Sequence, residues 1–161
     1  MNLEILMVGM VILAICIIPF VLMGMSKKKK AKDLIDALNG FATKHQCIIS
    51  EYEPGGDFIF GLDAKKKVLF YYKKALHANK IEKMDLSQVK HCRAVTSGSE
   101  VKTSDGTKKL TDKIELVFTF ASKDMPEVRW TIFDTQHEMV LMEEHQLVER
   151  WAARINSLLK S

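Results

Sequence analysis

Charge is missing from the first part of this chain. Between Glu4 and Lys27 no ionisable side chain occurs except Cys16, and no basic residue precedes the stretch. The missing basic segment, together with the lack of a small-residue cleavage site, argues against a removed signal peptide. Ile15 is too bulky for the position before a lipoprotein cysteine, so Cys16 reads as a small hydrophobe. What remains from Ile5 to Met25 is an apolar run as long as the roughly 20 residues that cross a bilayer core. Pro19 removes one backbone donor within it, which membrane-spanning helices tolerate.

Cysteine is scarce, with 3 in 161 residues. Cys47 and Cys92 share no repeated spacing, which excludes a disulfide framework and a zinc-finger ligand set and fits buried thiols in a reducing compartment. Excess charge is lacking too. Lys27–Lys30 take four of the 24 basic residues and Glu4 one of the 20 acidic ones, leaving 20 against 19 from residue 31 onward. A neutral body excludes the basic groove of a nucleic-acid binder.

Catalytic signatures are absent as well. Ser97-Gly98-Ser99 is no nucleophile elbow, and Gly55-Gly56 lacks the Lys-Ser/Thr of a phosphate cradle. His137 and His145 stand eight apart with Glu138, Glu143 and Glu144 between them, a solvated polar face and not the one-turn spacing of a zinc helix. His45 beside Cys47 and His91 beside Cys92 give too few ligands for a metal. No catalytic residue, metal or cofactor is expected. There is no internal repeat.

What is present starts with Lys27, Lys28, Lys29 and Lys30 directly after the apolar run. Positive residues flanking a span stay inside, so the expected topology places the N-terminus outside and the body in the cytoplasm, at the inner membrane. The lysines are expected at the anionic membrane surface. Residues 1–30 thus read as an anchor, spanning about 5–25. Residues 31–161 make one domain of about 130 residues, enough for a core of its own.

Within that domain Leu34, Leu38, Phe41 and His45 recur at helical spacing over 31–45, although Asn39-Gly40 weakens the pattern. The period then changes to two. Strands are expected at 46–50, 57–62, 68–72, 80–84, 87–96, 113–121 and around Val128–Ile132, with a polar stretch at 97–109 whose tip is Ser104-Asp105-Gly106-Thr107. Ile114, Leu116, Phe118 and Phe120 share one face, with Glu115, Val117 and Thr119 on the other. Leu69 and Tyr71 oppose Phe70 and Tyr72, so both faces of that strand are apolar. Either the 31–45 helix covers the second face or a partner does. From about 143 to 160, Leu147, Trp151, Ile155 and Leu158 mark an amphipathic helix, and Trp130 and Trp151 read as core plugs.

Three segments then carry a resemblance: Phe58-Ile59-Phe60-Gly61-Leu62-Asp63, Lys67-Val68-Leu69-Phe70-Tyr71 and Met84-Asp85-Leu86-Ser87-Gln88-Val89. With the closing helix around Trp151, Ala152 and Ile155, they resemble bacterial pleckstrin-homology-like (PH-like) domains over about 46–160. The resemblance implies an α+β, mainly β fold: roughly seven antiparallel strands in a bent barrel or sandwich, capped by the C-terminal helix. It also implies binding of lipid, peptide or protein, without shared catalytic residues. Lys65, Lys66 and Lys67 partly match the basic strand-loop-strand of lipid-binding members, and with Tyr71 they are the expected lipid or partner contacts.

The expected function is that of a non-catalytic, membrane-tethered binding or scaffold module whose partner is another membrane protein. The alternatives are a module that lays Lys27–Lys30 and Lys65–Lys67 together on anionic lipid, and an enzyme.

Overall fold

A computed structural model of the chain describes residues 3–75, 77–135 and 144–161, with side chains left out at 3–6, 9, 11–16, 18–23, 103, 108 and 109. Helix α1 (Leu3–Lys44) is followed by β1 (Glu51–Pro54), β2 (Phe58–Asp63), β3 (Val68–Lys73) and β4 (Lys80–Asp85). A 3-10 turn at Leu86–Gln88 leads to β5 (Val89–Thr103), β6 (Gly106–Phe120), β7 (Val128–Asp134) and the closing helix α2 (Glu144–Leu159). The fold is α+β and mainly β. Its strands do not close one barrel, as expected, but form two antiparallel sheets, β1-β2-β3-β4 and β5-β6-β7.

Two expected helices at the start are one. α1 runs through Lys27–Lys30 without a break, because no residue between Ser26 and Asn39 is a helix breaker. Gly40 does not interrupt it either; open space surrounds the position where its Cβ would be, so its cost is the propensity term of about 1 kcal/mol. The helix stops in a Schellman arrangement. Cys47 N–H donates to the Ala42 carbonyl (2.9 Å) and Gln46 N–H to that of Thr43 (2.9 Å), with Gln46 left-handed at φ 57. That geometry overrides the strand expected at 46–50. Ile48 N–H goes instead to the Asp63 carboxylate (2.9 Å), and the first strand begins at Glu51.

β2 and β3 are buried on both faces. Phe58, Phe60, Leu62, Leu69 and Tyr71 point between the sheets, where they meet Leu116, Phe118 and Trp130 of the second sheet and Trp151 of α2. On the other face Ile59, Phe70 and Tyr72 pack under Leu34, Leu38 and Ala42 of α1. The second apolar face of β3 is therefore covered by the helix. Gly61 makes the close approach possible: a Cβ there would stand 2.4 Å from Leu38 Cδ2.

α2 fills the seam between β1 and β5. Its buried stripe of Leu147, Val148, Trp151, Ala152, Ile155 and Leu158 has the expected helical spacing. Toward β1, Trp151 Nε1–H donates to Glu53 (3.0 Å), Arg150 pairs with Glu53, and Arg154 Nε–H donates to Glu51 (2.9 Å). Toward β5, the Asn156 amide accepts from Cys92 N–H (2.9 Å) and donates to Cys92 C=O (2.6 Å), standing in for a neighbouring strand. On the β5 side the Asn156 amide thus occupies the pairing groups of Cys92.

The 97–109 stretch forms the hairpin whose tip is expected at Ser104-Asp105-Gly106-Thr107, with strand pairing continued to that tip. β5 and β6 pair from Val89↔Phe120 to Thr103↔Gly106, around a turn at Ser104 and Asp105. β7 accompanies β6 only between Lys113 and Phe118, so beyond Gly98 and Thr111 the hairpin continues as a two-stranded ribbon.

Candidate functional site

The domain has two ends along α1. At the near end, Lys27 and Lys30 stand over the β1–β2 turn. One cavity of about 350 Å³ is lined by Lys30, Asp33 and Leu34 against Asp57 and Lys74. A second, of about 300 Å³, lies between Lys27, Gly56 and the first two turns of α2. Lys27, Lys28, Lys29 and Lys30 are all exposed there. β7 finishes at this end as well, since Lys73 at the end of β3 donates to the Ile132 carbonyl (2.7 Å). The β5–β6 ribbon leaves the body from the same end. It carries Val101 (40 % exposed) and Leu110 (51 % exposed), which the sequence reading passed over inside a polar stretch. Their diagonal relation across the hairpin, visible only once the register is known, puts them on one face.

Lys65, Lys66 and Lys67 occupy the opposite end, in the β2–β3 turn. Lys66 Nζ donates to the Gln46 carbonyl just past α1, and Lys67 Nζ reaches Leu158 O (3.5 Å) and Ser161 O (3.3 Å) at the last turn of α2. Lys67 is left-handed at φ 55. Asp63 organises this turn. Burial pushes its carboxyl up, but backbone donors from Lys66, Ile48 and Lys65 and the nearby Lys66 ammonium outweigh that and hold it below the usual range. Lys30 and Lys44 are 14 residues apart on one continuous helix, a rise of about 21 Å. Lys65–Lys67 are thus set apart from Lys27–Lys30 along α1, and two of the three are engaged: Lys66 by the carbonyl just past α1, Lys67 by carbonyls at the end of α2.

The expected contact at Tyr71 is corrected. It is fully buried between Phe58, Phe60 and Trp130, with ring centroids 5.2–5.9 Å away, and offers no surface. Trp130 and Trp151 are core plugs as expected, at 2 % and 5 % exposure. Cys92 sits in the same core, where burial pushes its thiol up to about 12, out of reach of thiolate chemistry. Cys47 lies in the separate cluster under α1, so the two thiols do not share a site. Among the described residues no group of His, Cys, Asp or Glu could hold a metal. His137, Glu138 and Glu143 lie outside the described residues.

The outer face of the second sheet is a charge lattice. Glu115 and Val117, on the face opposite Ile114, Leu116 and Phe118, are buried at 6 % and 0 %. Lys113 (2.7 Å) and Arg129 (3.3 Å) flank Glu115, while Arg129 (3.4 Å) and Arg93 (3.1 Å) hold Glu127. Hydrogen bonds, from Lys113 first, lower the Glu115 carboxyl, and those from Arg93 and Thr119 lower that of Glu127. The lattice closes this face.

Among the described residues no helix is long and apolar enough to cross a membrane. Of the 5–25 run, the helix backbone is described, but apart from Gly24 only Met7, Val8, Met10, Ile17 and Met25 have described side chains. The five large ones are each more than half exposed. No protein family, curated protein or solved structure matches this chain.

Proposed function

We propose that this protein is a non-catalytic, single-span binding module: a PH-like domain held in the cytoplasm against the inner membrane, engaging a membrane protein as partner. The observation that carries the reading is α1. One helix continues from the apolar run into the body and docks there through Leu34, Leu38 and Ala42. Such a joint fixes the distance and orientation of the domain relative to the bilayer, and confinement at the membrane lets weak contacts suffice. Large exposed apolar side chains along the first half of α1 support the anchor, because water does not favour such a surface.

The aromatic filling between the sheets supports a binding role over an enzyme, since it leaves the domain interior to side chains. The partner surface in this reading is the β5–β6 ribbon, whose Val101 and Leu110 face outward at the membrane-side end. The placement of Lys65–Lys67 away from Lys27–Lys30 weighs against the joint-lipid alternative.

Two measurements test this. A reporter fused after Ser161 should be active only inside the cytoplasm; activity outside reverses the topology. Partners captured with the intact, detergent-solubilised chain should be lost in a Val101→Asp/Leu110→Asp variant. Retention of every partner by that variant removes the ribbon from the proposal.

A further inference from the structure

At the near end, two charges of opposite sign that have no partner among the described residues line one cavity. Glu144, the first residue of α2, is 8 % exposed, and its inner oxygen Oε2 is buried without a donor among the described residues. Its other oxygen lies beside the β1–β2 turn, 3.6 Å from where a Cβ on Gly56 would be. A carboxylate stripped of water and given no donor is unfavourable, and native folds leave few such groups unexplained. Lys27 lines the same cavity of about 300 Å³ and is exposed, with no partner among the described residues. The remaining two charges, Glu53 and Arg150, pair with each other.

We propose that this cavity binds a phosphoethanolamine-type zwitterion, with its primary ammonium donating to the Glu144 carboxylate and its phosphate accepting from Lys27. The source is the phosphatidylethanolamine head group of the bilayer next to the tetralysine; this assignment of source rests on the anchor reading above. Other ligand chemistries leave a mismatch. Inorganic phosphate satisfies Lys27 but meets Glu144 as a like charge. A divalent cation satisfies Glu144 but is repelled by Lys27. A trimethylammonium has no N–H to donate, and no aromatic ring lines the cavity to receive it. A ligand that carries both a hydrogen-bonding cation and an anion matches both groups.

The test is native mass spectrometry of the full-length chain, delipidated in detergent. It is titrated with phosphatidylethanolamine, phosphatidylcholine and phosphatidylglycerol of identical acyl chains, and with free phosphoethanolamine. Phosphatidylethanolamine should bind about tenfold more tightly than the other two lipids, the effect of one charge-assisted hydrogen bond. Glu144→Gln and Lys27→Ala should each abolish that preference, and Lys65→Ala at the far end should keep it. Thermal unfolding of each variant checks the fold, and Lys27→Ala on an exposed helix face keeps the test valid if Glu144→Gln does not fold.

Equal affinity for the ethanolamine and choline lipids overturns the proposal, as does a preference that survives both cavity variants. Binding of free phosphoethanolamine as tight as that of the lipid, and lost in Glu144→Gln, overturns the lipid source and keeps the head-group chemistry. Carbonate extraction separates the two levels. A chain stripped from membranes breaks the anchor reading, whereas an integral chain without head-group preference breaks only this inference.

Discussion

The two faces of β2 and β3 are both dry, yet they are built differently. On the inner side, Phe60, Leu69 and Tyr71 meet side chains from the second sheet and from α2, so many elements share one core. On the outer side, Ile59, Phe70 and Tyr72 meet one helix, through Leu34, Leu38 and Ala42. Alternate residues of the same strands thus serve two purposes. The inner layer holds the fold together; the outer layer is a joint between that fold and the segment proposed to enter the membrane. A layer contributed by one helix has fewer contacts to lose before it opens, which places it at the low end of local stability.

That contrast gives the largest expected effects. Trp130 packs edge-on to Phe118 at 4.8 Å and stacks on Tyr71 at 5.9 Å. Trp130→Ala should destabilise the whole domain by about 3–5 kcal/mol, seen as a drop in the denaturant midpoint by every probe. Leu38→Ala, at a residue with no exposed surface, should remove about 2–5 kcal/mol from the joint. Its signature is local: faster hydrogen exchange at the end of α1, with β6 and β7 still protected. Gly61→Ala should act on the same joint, by about 1–3 kcal/mol, because its methyl group would overlap Leu38 at 2.4 Å. If these two variants unfold the second sheet as readily as α1, the layers are one cooperative unit and the distinction between them fails.

The sequence foreshadowed this contrast in part. Alternation in 68–72 showed that β3 is apolar on both faces, and the spacing of Leu34 and Leu38 supplied a helix able to cover one of them. The stripe from Leu147 to Leu158 was equally plain, because hydrophobic burial imposes a period that composition can reveal. Backbone-driven features were hidden. The tip at Ser104-Asp105-Gly106-Thr107 was legible, but the length of the β5–β6 ribbon was not, because main-chain pairing in a mostly polar stretch leaves no hydrophobic signature. The stop at Gln46 uses a residue without the glycine that usually marks such a cap. Burial of Glu115 depends on Lys113 and Arg129, the latter from another strand. For the candidate site, the lysine runs were visible but their positions were not. Spacing along the chain does not say that residues 27–30 and 65–67 lie at opposite ends of the domain.

Asn156 sharpens the comparison from the side of α2, since it ties the inner layer to the edge of β5. Asn156→Ala leaves the Cys92 N–H and C=O without their partner, and should cost about 1–3 kcal/mol. Asn156→Asp keeps an acceptor for the N–H but turns a carboxylate oxygen toward the carbonyl. It should therefore be no better than alanine, whereas a pure packing role predicts near-wild-type stability for Asp. Chemical denaturation of the three proteins distinguishes these outcomes.

The smallest effect belongs to the outer rim of the seam, where Arg154 holds Glu51 of the edge strand β1. The hydrogen bond from Arg154 lowers the Glu51 carboxyl, overcoming the opposing effect of burial. A carboxyl whose folded value lies below its unfolded one, about 4.3 for Glu, stabilises the fold above that pH. The contribution disappears as the pH falls through the folded value. Both side chains are about 40 % exposed, so the pair should contribute no more than about 1 kcal/mol at pH 7. Arg154→Ala should accordingly lower the unfolding midpoint slightly at neutral pH. The gap to wild type should close as the pH falls below the ordinary carboxylate range and through the lowered folded value of Glu51, where the pair is lost from both proteins. A gap that stays constant down to pH 2 would assign the effect of Arg154 to the packing of its aliphatic stem, and would make the seam, like the inner core, a matter of contact and not of charge.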